Sequence, residues 1–174
     1  GSRSSLNEEK AKGKDIRMVY SPIDCLKMCI EEPSKKIVFF ATGFETTSPS
    51  VAATVIESSL RGIKNFFVFS VHKVVPPALE ALLSSGDVKI DGFILPGHVS
   101  AIIGKRPYKF IAEKYGIPSV ITGFEPKDIL EAIYMLVKKI EEKTPSIEIQ
   151  YLRAVKEEGN PKAVQTISEV FEPS

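Results

Sequence analysis

Ile37-Val38-Phe39-Phe40-Ala41-Thr42-Gly43-Phe44-Glu45-Thr46-Thr47-Ser48-Pro49 is the stretch whose reading decides the fold class. Ile37–Thr42 is dense in β-branched and aromatic residues and barely alternates with polar ones, the pattern of a strand buried on both faces. Gly43 permits a tight exit from that strand. Thr46, Thr47 or Ser48 can then cap a helix whose first turn takes Pro49. The residues that follow place Ala52, Val55, Ile56 and Ser59 on one helical face.

The same order recurs outward from this stretch. Arg17–Tyr20, Phe66–Val71, Gly92–Leu95 and Ser119–Thr122 also have strand character, and a helix start follows each. Ser21-Pro22 opens one helix, and Val75-Pro76-Pro77 opens another with Leu79, Leu82 and Leu83 inward. Val99–Ile103 leaves room for only a short turn before a helix from Pro107 with Phe110, Ile111 and Tyr115. Glu125-Pro126 opens a helix with Ile129, Ile133, Leu136, Val137 and Ile140 inward, the cleanest helical period in the chain. Strands alternating with helices imply parallel pairing through right-handed crossovers. The expected fold class is α/β: a three-layer αβα arrangement around a mostly parallel, Rossmann-like sheet of about five strands.

The rest of the chain is organised around that unit. Residues 1–15 read as a tag remnant (Gly1-Ser2) and a polar arm or short helix, and 16–142 as the α/β domain. Residues 143–174 read as a connecting segment, with an edge strand near Ile147–Leu152, and a C-terminal helix from Asn160-Pro161 packed on the same domain. That helix turns Val164, Ile167 and Phe171 inward. No internal repeat stands out. The missing initiator Met and the stop after Phe171-Glu172-Pro173-Ser174 are read as the ends of a segment cut from a longer polypeptide. A chain of 174 residues with 43% hydrophobic and 26% charged residues is an ordinary globular domain. Its net charge of +1 offers no one-signed field to attract nucleic acid or an anionic membrane. No apolar run is long enough to span a bilayer. Cys25 and Cys29 lie one helical turn apart and read as small core residues, reduced in the expected cytoplasmic setting.

In open α/β sheets ligands bind beyond the carboxyl ends of the strands. Four such ends are rich in glycine and polar groups: Gly43–Thr47, His72-Lys73, Pro96–Ser100 and Gly123–Pro126. The first loop has two readings. It binds an anion or polar ligand at a helix N-terminus, or it merely caps the helix, with Glu45 on the helix dipole. It matches neither nucleotide-binding fingerprint. His72 and His98 are the only histidines, and both fall on this rim near Glu45 and Glu125. These four could act as acids and bases or supply the several convergent ligands a metal needs, though no spacing specifies a metal site and no nucleophile stands beside them.

In order along the chain, Gly43-Phe44-Glu45-Thr46-Thr47, His72-Lys73 with Pro76-Pro77-Ala78, Asp91-Gly92-Phe93 running into Pro96-Gly97-His98-Val99-Ser100, and Gly123-Phe124-Glu125-Pro126 with Asp128-Ile129-Leu130 closely resemble the HypD family of hydrogenase maturation factors. The resemblance covers about residue 16 to the end, including Tyr151, Arg153 and Gly159-Asn160. Ile149 departs from it, standing where the family has Asn. The resemblance implies a protein that works with HypC-like and HypE-like partners to assemble the iron centre of [NiFe]-hydrogenases, with its carbon monoxide and cyanide ligands. It implies thiol chemistry and a [4Fe-4S] cluster in the full-length family. The cysteine motifs for these lie upstream and downstream of this segment, so no cofactor and no metal ligand is expected within it. Glu45, Thr46, Thr47, His98 and Glu125 are then the expected catalytic groups, and Gly43, His72, Gly97, Ser100 and Gly123 the expected cofactor-binding residues of the full-length family's cleft. The competing readings are a stand-alone small-molecule or nucleotide-binding domain and a pure interaction module.

Overall fold

The computed structural model describes residues 3–86 and 88–172, so the reading of Gly1-Ser2 falls outside it. From the second helix onward the elements follow the order the sequence implies: α1 (Leu6–Ala11), α2 (Asp24–Glu31), β1 (Ile37–Ala41), α3 (Ser48–Leu60), β2 (Phe66–Ser70), α4 (Val75–Ser84), β3 (Phe93–Pro96), α5 (Gly97–Ile103), a 3-10 turn (Arg106–Tyr108), α6 (Lys109–Tyr115), β4 (Ser119–Thr122), α7 (Pro126–Glu141), β5 (Ile147–Ile149) and α8 (Pro161–Ser168). Proline occupies the first turn of α3, α4, α7 and α8, where its missing N–H costs nothing. Asn160 caps α8 by accepting the Ala163 N–H at 3.1 Å. Asp128 in the first turn of α7 and Lys138 and Lys139 in its last complement the helix dipole.

The fold is α/β with parallel strands, but the strands fall into two sheets rather than one. β1 pairs with β2, from Ile37 opposite Phe66 to Ala41 opposite Ser70. β4 lies between β3 and β5, with Phe93 opposite Ser119 and Ser119 opposite Ile147. Pro96 explains why β3 is an edge: it has no N–H to offer a further neighbour. The expected strand Arg17–Tyr20 does not form. Its Arg17 is instead drawn into solvent-side ion pairs with Asp15 and Glu32, and Met18 and Tyr20 are exposed. The fifth strand is the short edge strand β5. Val99–Ile103, expected to make only a turn, belongs to the seven-residue helix α5.

The core sits against the three-stranded sheet. Leu95, Tyr108, Ile111, Ile121, Ile147 and Val155 form it, and Val75, Leu79 and Leu83 of α4 pack on it. Thus α4 leaves one sheet and covers the other. Alternation turns Val120 to the opposite face of β4, where α7 packs, burying Asp128 and Ala132. The stripe expected inward on α7 is instead rotated outward: Ile129, Ile133, Val137 and Ile140 are exposed and only Leu136 is partly covered. A similar rotation on α3 buries Val51, Ala52, Thr54 and Ser58, leaving Ser59 exposed. On the two-stranded sheet, Val38, Phe40, Phe67 and Phe69 project from an uncovered face, with the Phe40 and Phe69 rings stacked at 5.7 Å. A groove of about 730 Å³ runs beside β1, between α2 and residues 15–19. Among the described residues no helix is long and apolar enough to cross a membrane.

Candidate functional site at the strand ends

β1 ends at the buried Ala41, and the chain turns at Gly43, whose φ of 134° disfavours a side chain. A Cβ there would also lie 2.3 Å from Thr47 Oγ1. The Thr47 hydroxyl donates to the carbonyl of Phe44 at 3.1 Å, and Ser48 Oγ donates to the same carbonyl at 3.2 Å. These hydroxyls tie the turn to itself; Thr47 stands at the N-cap position of α3 without a side-chain cap bond. Thr46 is exposed. Glu45 turns inward, only 5% exposed. Its Oε1 accepts the Val75 N–H at 2.8 Å, so it caps α4, which has no side-chain cap of its own, and not the helix it precedes. Its Oε2 is buried without a hydrogen-bond partner.

The β1–β2 ladder continues into the loops: Val71 N–H donates to Ala41 O and Lys73 N–H to Gly43 O, each at 2.9 Å. His72 faces the end of α8. Its Nδ1 is 3.0 Å from Ser70 Oγ and its ring meets Phe171 edge-on at 5.5 Å. Nε2 is buried without a partner, and burial pushes the imidazole below its usual range, favouring the neutral ring.

The β3 and β4 exits lie side by side. Ser100 is fully buried and donates to Pro96 O at 2.8 Å, with Tyr108 Oη 3.4 Å away. Burial pushes the Tyr108 hydroxyl up to about 12; the Ser100 contact opposes this and the charge of Glu45 adds to it. Glu45, bonded to the N–H of Val75 that packs on this core, lies close to the other sheet. His98 is exposed, its ring 4.4 Å from that of Phe124 and 6.5 Å from that of Tyr151. Glu125 is exposed, 3.6 Å from Arg153 Nη2.

Sequence reasoning missed the polar cluster beneath these groups. Asp128, buried at the start of α7, accepts two bonds from Arg153, at 2.8 and 2.5 Å, and one from Gln150 at 3.0 Å. Gln150 Oε1 accepts the Thr122 hydroxyl at 3.2 Å. The available signal was β5: a fifth parallel strand must deliver Gln150, Tyr151 and Arg153 to the same edge.

Thr42-Gly43-Phe44-Glu45 and Thr122-Gly123-Phe124-Glu125 are the same four residues at two strand exits. Their glutamates have opposite fates, one buried and one exposed.

The four acid–base candidates do not share one cluster. Glu45 serves α4, His72 meets Phe171, and His98 and Glu125 belong to the β3 and β4 exits. Among the described residues no group of three or more His, Cys, Asp or Glu is placed to hold a metal ion. The [4Fe-4S] cluster of the resembled family takes four thiolates. This chain has only Cys25 and Cys29, both buried on α2, and burial raises their thiols. The residues present do not fit that cluster.

The Arg153 guanidinium beside Asp128 holds its carboxyl down to about 2, from a usual 3.8. The folded value lies below the unfolded one, so the stabilisation is fully present above about pH 4. It drains away as pH falls from about 4 through about 2. Urea midpoints across that range are expected to fall more steeply for the wild type than for D128N. The difference isolates this pair from the solvent-side network around Glu32, whose carboxyl Arg17 and Lys35 also hold down to about 2.

The model of the HypD family, described as the hydrogenase formation hypA family, matches residues 1–174. The chain is 47% identical over 172 residues to the hydrogenase maturation factor HypD of Rhodobacter capsulatus, covering 99% of this chain and 46% of that protein. It is 44% identical over 171 residues to the HypD of Escherichia coli, covering 98% and 46%. It is 45% identical over 174 residues to the hydrogenase expression/formation protein HupD of Azotobacter chroococcum, covering 97% and 46%. The chain spans about half the length of the curated relatives it matches. The chain belongs to the HypD family.

Proposed function

We propose that this segment forms one wall of the cleft in which the family assembles the Fe(CN)2CO group of [NiFe]-hydrogenase. It does so in the cytoplasm, with HypC-like and HypE-like maturation proteins. Iron is the cargo, held by thiols outside these residues. Family membership supports this reading, and the observation that carries it is the exposed His98 imidazole, packed on Phe124 beside the exposed Glu125 at one strand edge. An imidazole there can donate or accept a proton as charge develops on thiolate or cyanide groups. Glu125 is a proton acceptor, and the Thr46 and Thr47 side chains lie on the exposed part of the first loop. Glu45, Ser100 and the glycines shape the wall from within.

The test is H98A in the full-length family protein that contains this segment, scored by hydrogenase activation in cells lacking their own factor. Activation is expected to fall ~100-fold, the usual contribution of a positioned acid–base group, while fold and cluster content stay unchanged. Normal activation by H98A would sink the reading. The stand-alone nucleotide-binding alternative is not favoured, because no strand exit carries its fingerprint.

A further inference from the structure

The ring of Tyr151 closes the space between the β3 and β4 exits. A Cβ on Gly97 would lie 2.8 Å from Tyr151 Cδ1, and one on Gly123 2.9 Å from Tyr151 Cδ2. Both ring edges therefore abut backbone that carries no side chain. One ring face is covered by the Arg153 guanidinium, 4.4 Å from the centroid, in cation–π geometry. That guanidinium is fixed by its paired bonds to Asp128, and Asp128 is fixed by burial and by Gln150.

The residues that follow the two glycines are His98 and Phe124, whose rings lie 4.4 Å apart. Both are exposed, so little else packs around them. His98 is the second residue of a seven-residue helix that opens on a glycine, so local propensity does little to fix it. Its position must be set from outside α5.

We propose that Tyr151, clamped by Arg153 and Asp128, is a positioning residue that sets the spacing of His98 and Phe124 across the two strand exits. The proposal rests on the reading of His98 as a group of the assembly site. Tyr151 is not itself a reacting group; its ring abuts the backbone on either side and lies 6.5 Å from the ring of His98. The phenol hydroxyl has no part in this, so a phenylalanine should serve as well.

The test is NMR of the imidazole in the 174-residue chain. In the wild type the His98 ring protons are expected to show cross-relaxation with the Phe124 ring and an upfield ring-current displacement. Y151L is expected to lose the cross-peaks and return the imidazole signals toward those of free histidine, while Y151F keeps both. A merely space-filling ring would lower the melting temperature in Y151L and leave the His98–Phe124 cross-peaks in place, which overturns the proposal. Should Y151L fail to fold, R153M, altered at a half-exposed side chain, is read in the same way: lost cross-peaks support the clamp and retained ones overturn it. The imidazole signal does not depend on hydrogenase activation. Retained cross-peaks in Y151L thus leave the H98A test untouched, and normal activation by H98A leaves the clamp standing.

Discussion

Gly97→Ala is expected to destabilise the protein by about 3 kcal/mol, the upper end of ordinary overpacking, and to lower the melting temperature by roughly 6–12 °C. The new Cβ would lie 2.2 Å from the carbonyl oxygen of Thr122. That atom is backbone of β4, the central strand, all four residues of which are buried. It cannot retreat without disturbing the pairing of Thr122 with Pro96 of β3. The second neighbour, Tyr151 Cδ1 at 2.8 Å, is held in its own clamp. Gly123→Ala should also be damaging for a different reason: its Cβ would meet Asp128 Oδ2 at 2.1 Å, so the substitution displaces a carboxylate from its arginine. Thermal unfolding followed by circular dichroism decides the matter. A G97A protein that melts within 2 °C of the wild type, about 0.5–1 kcal/mol at this size, would show that the β3 and β4 exits are not as close as described.

How far this arrangement was legible depends on which level of structure each residue answers to. Strand and helix order was legible because it is local: Ile37–Ala41 and Phe66–Ser70 are apolar runs, and Pro49, Pro126 and Pro161 punctuate helix starts. The grouping of strands was not, because pairing depends on which neighbour is at hand, and the proline that marks β3 as an edge is one residue among many. The period of α7 is written in its sequence, but its phase is not. Asp128, held by Arg153, is the residue that fixes which side of the helix faces the sheet. A charged residue on the buried side is the reverse of what hydrophobic periodicity alone selects. The two Thr-Gly-Phe-Glu exits make the same point about the site. Identical local sequence places one glutamate against the N-terminus of α4 and leaves the other in solvent, since only the first has a helix crossing over from the neighbouring sheet.

That difference makes Glu45 the residue whose role is best separated by paired substitutions. Glu45→Ala is expected to cost about 2 kcal/mol, from the loss of a buried charge-assisted hydrogen bond and the uncapping of α4. Val75 N–H would lose its acceptor, and α4 carries Val75, Leu79 and Leu83 of the core. Glu45→Gln keeps an oxygen for Val75 N–H and places an NH2 group at the position of the unpartnered Oε2. It removes the charge that favours the helix terminus and also removes the burden of burying that charge. These opposing changes should leave E45Q within about 1 kcal/mol of the wild type. If Glu45 is structural, a full-length protein carrying E45Q should activate hydrogenase normally while E45A fails in proportion to its lost stability. If instead its carboxylate takes up a proton during assembly, E45Q folds and still fails, because an amide holds the hydrogen bond but cannot accept the proton. Chemical denaturation of both variants beside the activation assay distinguishes these outcomes. The 5% exposure of the side chain and its bond to α4 favour the first.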